Sequence, residues 1–148
     1  MTHTPPALNA AVQRLVQFFE QLQPQDLPRL AELYAADARF KDPFNEVVGV
    51  EAVAGIFHHM FDSLDAPRFV VRDVIVQGDQ AFLSWDFRFR MRRFNRDEQC
   101  IRGASHLRLG ADGRITEHRD YWDAAEELYE KLPVLGALMR WLKRRVNS

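Results

Sequence analysis

The feature that most constrains the fold is a change of hydrophobic period around Asp65, Ala66 and Pro67. Upstream, Leu8, Ala11, Val12, Leu15, Val16, Phe19 and Leu22 recur at helical spacing and stop before Pro24, whose ring disfavours helical backbone at the residue preceding it. Downstream, from Phe69 onward, apolar and polar residues alternate, the period of a strand with one face buried. The chain therefore reads as α+β, with helices first and a sheet after.

Within the helical part, Asp26 is expected to cap a second helix burying Leu27, Leu30, Leu33 and Tyr34, with Pro28 tolerated in its first turn. A short strand over 38–42 follows, with Ala38, Phe40 and Asp42 on one face and Pro43 starting the turn. After a brief extended piece at 47–50, Val53, Ile56, Phe57, Met60, Phe61 and Leu64 mark a third helix.

The alternating part predicts strands over 69–77, 81–94, 99–109 and 114–123, joined by turn residues such as Gly78-Asp79 and Gly110 to Gly113. Consecutive strands joined by turns pair antiparallel. In the second, Trp85, Phe87, Phe89 and Met91 oppose Asp86, Arg88, Arg90 and Arg92. In the last, Thr116, His118, Asp120 and Trp122 share a face, which suggests a pocket with a polar floor. Two helical segments, 124–132 and 134–146, complete the chain, the second apolar on one side around Trp141 and densely basic at its end.

At 148 residues a single domain, 1–148, is expected, and a net charge of -1 gives no global attraction to nucleic acid. Cys100 is the only cysteine, so no internal disulfide can form, and no Cys/His spacing suits zinc. No metal and no cofactor are expected. The N-terminal residues carry neither a basic start nor a long apolar run, and the expectation is a cytoplasmic protein.

Helix, helix, short strand, helix and a four-strand meander, over about 12–125, resemble the cone-shaped fold of the nuclear transport factor 2-like superfamily, with its SnoaL-like and ketosteroid isomerase-like domains. The most specific stretches are 26–43, ending in Asp42-Pro43, and 112–122, ending in Tyr121-Trp122. The resemblance implies a curved, mainly antiparallel sheet wrapped by the N-terminal helices around a pocket, with an extra C-terminal helix and homodimeric assembly. It places the isomerases' general base on Asp42 and their pocket tryptophan on Trp122. Their oxyanion-hole tyrosine falls on Phe18, and their protonated aspartate on Ser105. Such donors each lower the barrier by ~3 kcal/mol. Phe18 supplies none and Ser105 is a weaker one, so Δ5-3-ketosteroid isomerase activity is not expected.

The residues themselves leave two readings at most positions. Asp42, desolvated at the narrow end of an apolar cavity, would have its charged form disfavoured and suit acid/base work; alternatively its carboxylate bonds the backbone amides of its own turn. His118 and Asp120 could form a proton-relay pair, or a sealing network in which Asp120 pairs with an arginine such as Arg72 or Arg88. Of His58 and His59, adjacent on a helix and unable to chelate one ion together, one is expected half-buried and the other solvated. The Arg88, Arg90 and Arg92 ladder binds an anion or is a face balanced by Asp73, Asp86 and Glu117. The basic helix of 133–148 contacts a membrane periphery or a partner, or packs over the pocket or a dimer interface. Candidate catalytic residues are thus Asp42, His118 and Asp120, and candidate ligand contacts Phe18, Phe57, Ser105 and Trp122.

Two functions follow. One is a cofactor-independent isomerase, cyclase or hydratase/dehydratase-type enzyme acting on a hydrophobic, polycyclic or lipid-like small molecule. The other is a non-catalytic module that binds such a molecule.

Overall fold

The computed structural model describes residues 6–93, 96–123 and 126. Helix α1, Pro6–Glu20, buries Val12, Leu15 and Phe19, one face of a helical repeat. The expected second helix is broken. Pro24–Arg29 is a tight 3-10 turn, Leu30–Leu33 is a single α turn (α2), and Tyr34 already opens strand β1, Tyr34–Lys41. Pro28, inside the 3-10 turn, has no N–H for a helical ladder. Asp26 accepts from the Gln23 amide at 2.9 Å, back across the turn rather than forward along a helix.

Strand β2, Glu46–Val48, and helix α3, Val50–Ser63, follow. The strands β3 (Leu64–Gln77), β4 (Gln80–Met91), β5 (Gln99–Leu109) and β6 (Ile115–Tyr121) form the meander. β3 begins at Leu64, five residues before the expected start, and carries Pro67 across a register shift between Asp65 and Arg68. A proline is tolerated there because β3, among the described residues, is an edge strand and lacks one neighbour to bond.

Among the described residues the six strands run in the order β2-β1-β6-β5-β4-β3. Neighbours pair antiparallel except β1 and β6, which run parallel with Phe40 opposite His118. The parallel pair is invisible to an argument from turn-connected strands, since β1 and β6 are separated by about half of the chain. It brings the start of β1, with Tyr34, beside the closing strand.

Val12, Leu15 and Phe19 of α1 join Val53, Ile56, Phe57 and Met60 of α3 against Leu83, Trp85, Phe89 and Leu107 of the sheet in one core. Directly paired residues share a face, and Ile75, Phe82, His106 and Arg119 lie opposite one another across β3, β4, β5 and β6. Ile75 is 65% and Phe82 45% exposed, so this is the sheet's outer face. No helix among the described residues is long and apolar enough to cross a membrane. The C-terminal helices expected over 124–132 and 134–146 lie outside the described residues.

Candidate functional site

On the inner face, register pairs Leu83 with Ser105, Ser105 with Asp120 and Leu107 with His118. Trp85 sits opposite Gly103, where a Cβ would come within 2.5 Å of the indole ring. Glycine there lets the ring lie flat across β5, from where Trp85 Nε1 donates to Ser105 Oγ at 2.9 Å. Ser105 Oγ in turn donates to Asp120 Oδ1 at 2.5 Å.

Asp120 Oδ1 also lies 2.7 Å from His118 Nε2, and His118 Nδ1 lies 2.6 Å from Tyr34 Oη. A carboxylate only accepts, so Nε2 carries the proton. Tyr34 is 1% exposed and its hydroxyl has no other partner among the described residues. Its proton must therefore go to Nδ1, because a buried donor left unbonded is costly. His118 is thus a neutral imidazole between a donor and a carboxylate, in a ring of Phe19, Tyr34 and Phe40. Burial, and secondarily the charge of Asp120, push the Tyr34 hydroxyl well above its usual range, so it stays protonated.

This chain of bonds faces a cavity with Phe19, Phe57, Phe69 and Trp85 as aromatic walls and Ser105, His118 and Asp120 as its polar side. Its empty volume is about 380 Å³, mouth included, but the space in which the centre of a water molecule fits is only about 30 Å³. A compact ligand of a few heavy atoms fits that space. A polycyclic or lipid-like one, the size expected from sequence, does not fit without displacing the rings.

Asp42 is held otherwise. Its Oδ1 accepts from the Phe44 and Asn45 amides at 2.8 and 2.6 Å, and Asn45 Nδ2 reaches both its oxygens. The turn-bonding alternative is therefore present in full. Burial raises the Asp42 carboxyl above its usual value, the bonds from Phe44 and Asn45 offset part of that, and the Asp120 charge adds to it. Asp42 and Trp122 line a second, more open recess, which Asp120 also borders.

The sequence-derived candidates thus separate. Phe57, Ser105, His118 and Asp120 converge on the aromatic cavity. Trp122 packs on Phe44, with ring centroids 5.6 Å apart, at the outer recess. Phe18 is not in the cavity wall; it packs edge-on to Phe19 beneath the Arg29 guanidinium. Tyr34 was missed because its spacing suited the helix that Pro28 breaks, and Trp85 because it read as ordinary core.

Among the described residues Asp120 has no arginine partner. Arg72 and Arg88 engage Asp86 on the opposite face, holding its carboxyl below the usual range. The rest of the arginine ladder is also paired: Arg88 and Arg90 with Glu98, Arg92 and Arg96 with Asp65. Of the acids expected to balance it, Asp73 instead accepts from Ser84 and Glu117 pairs with Arg108. His58 and His59 are both exposed, not one half-buried, and His58 lies 3.3 Å from Asp62. Among the described residues no three His, Cys, Asp or Glu side chains gather as a metal site would require.

The model of the SnoaL-like domain family matches residues 15–118, more than half of the chain. No curated protein matches the sequence. Among solved structures, an epoxide hydrolase from M. tuberculosis of the LEH-like type is 18% identical, with a TM-score of 0.71 over 90% of this chain and 98% of its own. A steroid delta-isomerase from Pseudomonas aeruginosa is 18% identical, with a TM-score of 0.65 over 99% of this chain and 96% of its own. A protein of ketosteroid isomerase-like fold from Catenulispora acidiphila, solved with trimethylamine, is 18% identical, with a TM-score of 0.67 over 86% of this chain and 92% of its own. At these identities the likeness is one of fold.

Proposed function

The chain belongs to the SnoaL-like domain family, and on that premise we propose that it is a cofactor-independent acid/base catalyst for a compact, largely apolar molecule, with Asp120 as the proton-transferring group. The observation that carries this reading is the carboxylate of Asp120 at an aromatic cavity, its Oδ1 fixed by Ser105 and His118. Oδ2 accepts no hydrogen bond among the described residues and is the oxygen available to a substrate proton.

His118 holds its carboxylate in place and does not take the proton onward, because its Nε2 already bears one and its Nδ1 is occupied by Tyr34. A proton taken by Asp120 therefore returns to the substrate from Asp120. That favours isomerisation or cyclisation, in which one group removes and redelivers a proton, over net hydrolysis. Steroid isomerisation of the ketosteroid type is not proposed: Phe18 stands outside the cavity, and the Ser105 hydroxyl proton is committed to Asp120.

The test begins with small molecules that co-purify with the full-length protein, identified by native mass spectrometry, followed by turnover of the compound found. Asp120→Asn is expected to lower turnover at saturating ligand by about 10²–10⁴, the usual worth of a general base, with any change in affinity read separately from binding. Unchanged turnover in that variant rejects Asp120 as the base. Binding with no chemistry in the wild type leaves the chain as a non-catalytic binding module.

A further inference from the structure

We propose that the cavity selects a small organic cation, a protonated amine or quaternary ammonium with compact alkyl groups, over neutral and anionic molecules of the same shape. The inference rests on the reading of this cavity as the ligand site and specifies the charge of what it takes.

The first ground is an uncompensated charge. Among the described residues, no lysine or arginine lines the cavity. Among the described residues the only ion-pair candidate for Asp120 is His118. The Tyr34 hydroxyl, donating to Nδ1, keeps that ring neutral. Arg72 and Arg88 are drawn to Asp86 on the outer face, and Arg119, next in sequence, lies over the Tyr121 ring at 4.8 Å. Among the described residues, the carboxylate is therefore the net charge of the cavity.

The second ground is what surrounds that charge. Phe19 and Phe57 pack with centroids 6.2 Å apart, and Phe69 meets Trp85 edge-on at 5.5 Å, so two aromatic pairs wall the space beside the carboxylate. Aromatic faces attract cations through their quadrupole, most strongly where water is excluded. A neutral ligand seated here would strip water from Asp120 and return at most a hydrogen bond without a counter-charge, and an anion would add repulsion. A cation replaces the lost water with a counter-charge in a space lined by four aromatic rings. The room for water centres, about 30 Å³, limits it to a few heavy atoms.

The test titrates full-length protein with three probes of matched size, trimethylammonium, tert-butanol and pivalate, at constant ionic strength, following the Trp85 indole N–H by NMR. Trimethylammonium is expected to bind at least tenfold more tightly than tert-butanol, with pivalate weakest. Asp120→Asn is expected to abolish the difference between the first two. Equal or tighter binding of tert-butanol or pivalate by the wild type overturns the inference while leaving the cavity as the ligand site. A cation preference that survives Asp120→Asn overturns it as well. Failure of all three to perturb Trp85 overturns both the inference and the ligand-site reading. The wild-type comparison decides the matter even if the variant does not fold.

Discussion

Tyr34 and His118, 84 positions apart, are joined by a 2.6 Å bond between a fully buried phenol and an imidazole nitrogen. The bond sets which nitrogen of His118 carries the proton, and through it how Asp120 is held.

Replacing Tyr34 with Phe should therefore cost about 1–3 kcal/mol of stability, the usual penalty for stranding a buried polar partner. Urea unfolding measures the loss. The ¹⁵N shift of His118 Nδ1 should move at the same time, since a shape-preserving substitution alone would leave it in place. An unchanged midpoint and an unchanged shift would show that the bond does not form.

Gly103→Ala should displace the Trp85 ring, because the added Cβ would meet it at 2.5 Å. Overpacking of this kind costs about 1–3 kcal/mol. The indole N–H resonance should lose the signature of its bond to Ser105. Retention of that resonance, with wild-type stability, would contradict the packing described.

Asp42 gives a pH prediction. Its carboxyl is raised above 3.8 in the folded protein, chiefly by burial. The folded state thus keeps the proton longer than the unfolded chain. The stabilisation from that proton is complete below the unfolded value and is lost as pH rises through the folded one. Asp42→Asn removes the titration, so its stability relative to wild type should improve as pH climbs from about 4 toward neutrality. Urea midpoints at several pH values test this, and a pH-independent difference between the two proteins refutes it.

We propose that the homodimer expected from the resemblance would assemble through the outer sheet face. Ile75, Phe82 and Tyr121 are exposed there at 65%, 45% and 45%, and contiguous exposed apolar surface marks interaction sites. Light scattering should find a dimer in the wild type and a monomer in Phe82→Asp. A monomeric wild type, or a dimeric Phe82→Asp, counts against that face.

Much of the site is legible in the sequence. Strand periodicity put His118 and Asp120 on one face, and the fold brings them together with Ser105 and Phe57 at one cavity. The same periodicity set Asp86 against Trp85, and the two do lie on opposite faces, Asp86 with its arginines and Trp85 in the core. Asp42 remained ambiguous because Asp-Pro serves a catalytic strand end and an ordinary turn equally well, and only hydrogen bonds distinguish them. Asp120's partner was also beyond reach, since candidate arginines lie at similar strand positions and only register assigns them to the other face.

The sequence by itself determined the class of fold, the strands of the meander and the side of the last strand on which the polar residues sit. These are local properties, written in the spacing of apolar residues within one element. Tertiary structure alone decided that Tyr34 leaves the second helix, that β1 pairs parallel with β6, and that Gly103 makes room for Trp85 to reach Ser105. Each of these depends on residues far apart in the chain competing for one buried space. Periodicity records which way a side chain points, but a hydrogen bond between distant strands depends on register, and register is settled only when the whole sheet is assembled.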